Sequence, residues 1–356
     1  GGIGAGGAVV IDRAFNTVIA EVTGASTLDL RGNLAVEAHA LASDDYDHAV
    51  WSTAVAGGAG LVGLGASVVD SRIDNLVQAG VSGTVSRSAG GAANTTVAVE
   101  AQDATSVEVD AIGATAGAAA VGVVVATGSK QSDVDARIEN GTFNDRFGTR
   151  VEALSSGTVD VHAMAAAGGL AAAGSGAIST ALDSTGVHAG VYNSNLEVQG
   201  AGLDVIAGAT TDTTAYSQGV NFAGGLAIGA SIANAQTSAD VGATVDGDSA
   251  VGGIGGVSVN ASVDKTSSSA NSAEAIAEGS AGGIGVGNSA TEANAVGSSD
   301  VAAVLDATVS VQGNVDVSAE NTSGQYAKAD GFAVGLAGSI GTNKASATAD
   351  GTTTAR

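Results

Sequence analysis

The motif Val/Leu-x-Val-x-Ala occurs six times in this chain, so one structural unit has been copied repeatedly and the protein is an array of like units. The copies are Leu34-x-Val36-x-Ala38, Val97-x-Val99-x-Ala101, Val159-x-Val161-x-Ala163, Leu203-x-Val205-x-Ala207, Val257-x-Val259-x-Ala261 and Val315-x-Val317-x-Ala319. A second motif precedes them: Val18-x-Ala20-x-Val22, Val77-x-Ala79-x-Val81, Val134-x-Ala136-x-Ile138, Val187-x-Ala189-x-Val191, Val241-x-Ala243-x-Val245 and Val301-x-Ala303-x-Leu305, spaced 53 to 60 residues apart. Short alternating segments at that period predict a solenoid-like array whose neighbouring units complete each other's core. The first motif supplies the expected core residues Val36, Val99, Val161, Val205, Val259 and Val317. Its step from Val161 to Val205 is only 44 residues, which reads as one unit that has lost a peripheral segment.

A third element, rich in glycine, lies around Gly58, Gly117, Gly169, Gly225, Gly283 and Gly335. In 331–340, Phe332, Val334, Leu336 and Ile340 share one parity, while Ala333, Gly335, Ala337 and Ser339 share the other. A period of two is that of a strand with large apolar groups on one side and almost nothing on the other. The bare side, with Gly225, Gly229, Gly283, Gly285 and Gly335, is expected to be a packing surface, either within the solenoid or between filaments. The alternative is that it lines a narrow interior.

The chain holds no proline, where roughly 18 would be usual at about 5%. Proline cannot donate to a strand ladder, so its exclusion suits a chain built of strands with neighbours on both sides. Its 55 glycines would destabilise a helix bundle by about 1 kcal/mol each relative to alanine. Hydrophobic residues at 44% in strict alternation argue against disorder. The expectation is an all-β, repetitive β-solenoid-like array of about six units, with parallel stacking favoured. It forms one continuous body over 1–356, with approximate units 9–67, 68–125, 126–178, 179–232, 233–292 and 293–356. Sequence alone leaves open whether a unit makes one wide turn or two smaller ones.

With 12 basic against 36 acidic residues, the formal charge of −24 disfavours nucleic acid and an anionic membrane surface. Uncharged runs such as 111–129 and 163–182 reach spanning length, but they recur in strand register and lack flanking basic and aromatic anchors. An aromatic content of 3% does not furnish the girdles of a porin-like barrel. Cysteine is absent, so no thiolate site or disulfide is available.

No catalytic constellation emerges. His39, His48, His162 and His188 fall in different units without zinc-site spacing. Gly282-Gly283-Ile284-Gly285-Val286-Gly287 carries glycine where a calcium nonapeptide repeat has its aspartate. Carboxylate pairs such as Asp44/Asp45 and Asp246/Asp248 are placed at turns, where solvation explains them better than glycoside hydrolysis. Asp160, Asp204 and Asp316 occupy one position of the first motif, with Glu37 and Glu100 two residues further on. Stacked in a column they would repel, and would attract a cation such as calcium unless the face is simply solvated. Two segments read as protruding loops suited to recognition: Ser43–His48, and Asn140–Arg150 with Phe143 and Phe147.

The recurring combination of Val-x-Val-x-Ala strand, Ala-rich stretch, Gly-Gly-x-x-x-Gly strand and Val-x-Ala-x-Val strand resembles the repeat regions of giant bacterial surface proteins, notably leukotoxin-type filamentous adhesins. That resemblance spans essentially the whole chain. It implies an extracellular or cell-surface, adhesive or filamentous role, with partners among copies of the chain, neighbouring repeats, or surface glycans and proteins. It brings no enzyme activity and no cofactor.

Overall fold

The computed structural model describes residues 2–24, 27–42, 49–266 and 271–356. It is all-β: 86% of the chain is strand, joined in one large parallel sheet. No helix among the described residues is long and apolar enough to cross a membrane.

The chain winds as a coil of four strands. In the first turn these are a long strand, Ile3–Val22, a corner strand, Thr27–Leu30, a third strand, Leu34–Leu41, and a return strand, Val50–Ala59. Every strand pairs in parallel with its counterpart one turn later: Val18 with Val77, Leu28 with Val85, Val36 with Val99, Val50 with Val107. The step between paired residues ranges from 51, as from Phe147 to Val198, to 63, as from Val36 to Val99. One sequence repeat is therefore one wide coil. Six coils stack, and Gly338–Asp350 with Thr353–Ala355 adds the long strand of a seventh. Within the stack backbone N–H groups donate to the coil before or the coil after, which explains why a proline would cost a ladder bond almost anywhere.

The corner after the long strand is made where the backbone takes positive φ. Gly24 (92°), Gly83 (105°), Asn140 (55°) and Asn193 (45°) occupy it in successive coils. Glycine and asparagine tolerate this conformation best, so the corner is written into the sequence by residue type. Asn193 Nδ2 donates to Asn140 Oδ1 at 2.6 Å, tying two corners together along the axis.

In cross-section the interior tapers. The broad end, enclosed by the long, corner and third strands, holds Val77, Val99, Val134, Val151, Val187, Val205, Val241 and Val259. Phe143 and Phe147 fill the corner there, ring edge to ring face with centroids 5.7 Å apart. Both rings are buried, stacked beside Leu196 and Val198. The middle is narrower, with Val69, Ile73, Val107, Val109, Val124, Val159 and Val161 among many alanines. The buried hydrophobic residues of the thin end are all alanine: Ala120, Ala167, Ala173, Ala223, Ala227 and Ala281. The side chains shrink as the two walls converge.

This arrangement corrects the sequence reading at two points. Val159-x-Val161-x-Ala163 lies in the return strand, where Val161 pairs with Ala215, whereas the first-motif column continues through Val151, paired with both Val99 and Val205. Those steps are 52 and 54 residues, so no segment has been lost. The error arose because inward positions of both strands carry the same Val-x-Ala alternation, while Thr149 replaces the first valine of the true copy. Segment 140–150 is also no protruding loop, since Phe143 and Phe147 are core residues.

Candidate functional surface

The return strand of each coil runs into the long strand of the next through a tight turn, at 60–61, 117–118, 170–171, 224–225, 284–285 and 336–337. The two strands lie back to back and form a thin blade along one side of the stack. Its inward positions are small residues, mostly glycine, alanine, serine and threonine, with Asn221 among them. A Cβ on Gly4 would stand 1.8 Å from the Ala59 carbonyl oxygen, and one on Gly6 1.9 Å from that of Gly57. The walls approach until there is no room for a side chain.

The predicted packing-surface glycines belong to this interior or to the turn. Gly229 and Gly283 are buried, and Gly335 is inward, where a Cβ would meet the Gly338 oxygen at 2.1 Å. Gly225 and Gly285 sit at the turn, each stacked on the backbone of a neighbouring coil, with a Gly285 Cβ only 2.6 Å from the Gly225 oxygen. The glycine face thus lies inside the solenoid, and the version in which it meets a second filament does not hold.

The complementary parity faces solvent. Phe332 is 67% exposed, Leu336 86%, and Ile228 47%, with Phe222, Val334, Leu226, Ile284 and Ile340 also exposed. On the long-strand wall, columns starting at Ile3, Ala5, Gly7 and Val9 run through five coils with only glycine, alanine, valine, leucine and isoleucine. They end at Leu226, Ile228, Ala230 and Ile232. No charge interrupts them, in a chain of net charge −24. Contiguous apolar surface of this extent marks an interaction site more often than ordinary solvent-facing protein. Sequence parity separated the two faces correctly, but it carried no signal for which one is inside, because large apolar residues normally are.

The outer charges sit elsewhere. Asp204 and Asp316 share a column with Ala35, Ala98, Arg150 and Ser258, so neutral and basic residues break up the acids. Burial raises the Asp204 pKa, opposed by the Arg150 charge. Asp160 stands in the return-strand column, paired with Thr214, away from both. The three candidate cation ligands are therefore not brought together, and no group of three or more possible metal ligands occurs among the described residues. Asp160 instead approaches His162, Oδ1 to Nε2 at 3.0 Å, with Asp110 3.5 Å from Nδ1. The hydrogen-bonding contact with Asp160 raises the His162 pKa, burial opposes it, and the charges of Asp160, Asp110 and Glu108 add to the rise. His39 lies 3.7 Å from Glu100, and His188 is on another wall. Asp246 accepts from Asn193 N at 3.1 Å and Ser249 Oγ at 2.6 Å, which is a turn-stabilising role. Ser43–His48, including Asp44, Asp45 and His48, lies outside the described residues.

A polar belt crosses the interior between the broad and middle zones, and nothing in the sequence patterning singled it out. Lys130 is 2% exposed and Asp103 0%, with Nζ 3.3 Å from Asp103 Oδ2. Lys130 also donates to the Ser156 carbonyl at 3.0 Å and to Ser155 Oγ at 3.3 Å. Asp103 Oδ1 accepts from Asn75 Nδ2 and Thr105 Oγ1, both at 2.9 Å, and Oδ2 accepts from Ser132 Oγ. Asp183, 2% exposed, accepts from Thr185 Oγ1 at 2.8 Å, while its Oδ2 has no partner. Burial pushes the Asp183 carboxyl up, and the Lys130 charge only partly offsets this.

Comparison with known proteins returns no matching family, no similar curated protein and no similar solved structure.

Proposed function

We propose that this chain is an extracellular structural and adhesive segment: a rod of stacked coils whose apolar blade packs against the blade of a further copy. The observation that supports this reading is the charge-free apolar wall over five coils, set in a strongly acidic chain. Five coils at about 4.8 Å and seven strand residues at about 3.3 Å give a wall of about 550 Å². A biological interface buries at least about 1,000 Å² in total, about 500 Å² from each partner, so one wall is large enough for a specific, reversible contact. Elsewhere on the surface like charges oppose association, and the blade is the approach that avoids them. A self-assembling filament or sheath subunit is the second reading, favoured by the blade having two apolar walls, each able to take a neighbour.

Negative-stain imaging of the purified chain tests both. Paired or bundled rods support the first reading and extended sheets or fibres the second. Discrete single rods at high concentration would refute both. Release of sugar fragments from a polysaccharide would mark the chain as a solenoid enzyme instead.

A further inference from the structure

The belt around Lys130 is hard to account for as an ion pair alone. Two fully buried charges lose several kcal/mol each in solvation, and apolar residues of similar volume often serve stability as well. A second buried carboxyl, Asp183, next to the same amine adds to the difficulty, and one of its oxygens is unpartnered. Condensation of the amine with one carboxyl would remove both buried charges at once. The neutral amide left behind would find its hydrogen-bonding partners already in place at Ser156, Ser132, Asn75 and Thr105.

We propose that Lys130 and Asp103 join spontaneously in the folded chain through an isopeptide bond between Nζ and Cγ, with Asp183 relaying a proton. The arrangement favours attack in three ways. Nζ is already 3.3 Å from Oδ2, an oxygen bonded to the target carbon, so the amine and carboxyl are held side by side before reaction. Five hydrogen-bonding groups fix the two partners, so little freedom remains to be lost. The glycine at 157, with φ of 146°, brings the backbone over the amine where a Cβ would stand 3.1 Å from Nζ and 1.9 Å from the Thr105 oxygen.

The step balances without any outside reagent. The Lys130 ammonium passes one proton to Asp103 Oδ2, 3.3 Å away, and the free amine attacks Cγ of Asp103, while Asp183, in the acid form its burial favours, relays the second. A second nitrogen proton moves to the departing hydroxyl, the C–O bond breaks, and one water leaves. The product is a secondary amide beside Asp183 in its acid form, the form its burial favours. The bond would tie the third strand of the second coil, Thr96–Ala104, to the long strand of the third, 119–138. It is independent of whether blades pair.

Intact mass spectrometry of the folded, full-length chain decides the matter. The expected mass is that of the sequence less one water. Trypsin should spare Lys130, giving a single 88–137 peptide lighter by one water, with fragment ions that join residues 103 and 130. Lys130→Met and Asp103→Ala should restore the full mass. Asp183→Ala should leave most molecules uncrosslinked, and crosslinking at an unchanged rate would overturn the part given to Asp183. Wild-type protein of full sequence mass, cleaved normally after Lys130, overturns the proposal even if every variant fails to fold.

Discussion

Two adjacent residues, Gly229 and Ile228, should respond in opposite ways to substitution, and the contrast tests the inside-out assignment of the blade. A Cβ at 229 would stand 2.8 Å from Asn221 Nδ2 and 3.4 Å from the Ser280 carbonyl oxygen, and a leucine extends further into the same gap. Asn221 Nδ2 donates to Ser175 Oγ at 2.8 Å, so moving it strands a buried donor. Overpacking costs about 1–3 kcal/mol and the lost buried hydrogen bond about 1–3 more. Gly229→Leu should therefore cost roughly 2–6 kcal/mol, a large share of the about 5–15 kcal/mol by which domains are stable. Ile228 points outward and is 47% exposed, so Ile228→Glu should change stability by less than about 1 kcal/mol. It places a charge in the apolar wall and should weaken self-association. Urea unfolding followed by circular dichroism measures the first effect, and sedimentation velocity the second. If Gly229→Leu unfolds at the wild-type midpoint and loses only association, the glycine face is external and the reasoning fails.

Three further outcomes are expected. Val205→Ala, at a fully buried position of the broad zone, should cost about 1.5–3 kcal/mol, and Val317→Ala, only partly buried in the last complete coil, clearly less; chemical denaturation of the two variants ranks them. The His162 pKa is raised in the fold, so its charged form contributes stability below about pH 6.5, and this contribution is lost as pH rises through the folded value. The melting temperatures of wild type and His162→Gln should accordingly differ on the acid side and converge on the alkaline side, and a constant gap would contradict this. Because Asp160, Asp204 and Asp316 do not converge, a calcium chelator should leave the melting temperature unchanged, and a clear fall would indicate a cation site elsewhere.

The sequence revealed the period, the strand parity and one complete column. Val18, Val77 and Val134 stack in the register read from the second motif, as do Val187, Val241 and Val301. What it concealed has physical causes. Inward positions on opposite walls share one composition, so the copy at Val161 was assigned to the wrong wall. Parity does not distinguish inside from outside when one face is glycine and the other leucine, because that depends on how closely the opposite wall approaches. The Lys130 belt draws its members from three coils, at 75, 103, 130 and 183, and only the winding brings them together.

The coil pitch has a mechanical consequence. Each turn occupies only about 4.8 Å of axis but stores 51 to 63 residues, about 170–210 Å of contour at 3.3 Å each. A rod pulled from its ends would yield one turn at a time. Every yield would pay out some forty times the length it had occupied, and the remaining turns would stay intact. A tether of this kind would behave as a reel: short and stiff at low load, and able to extend many-fold before the chain is fully drawn out.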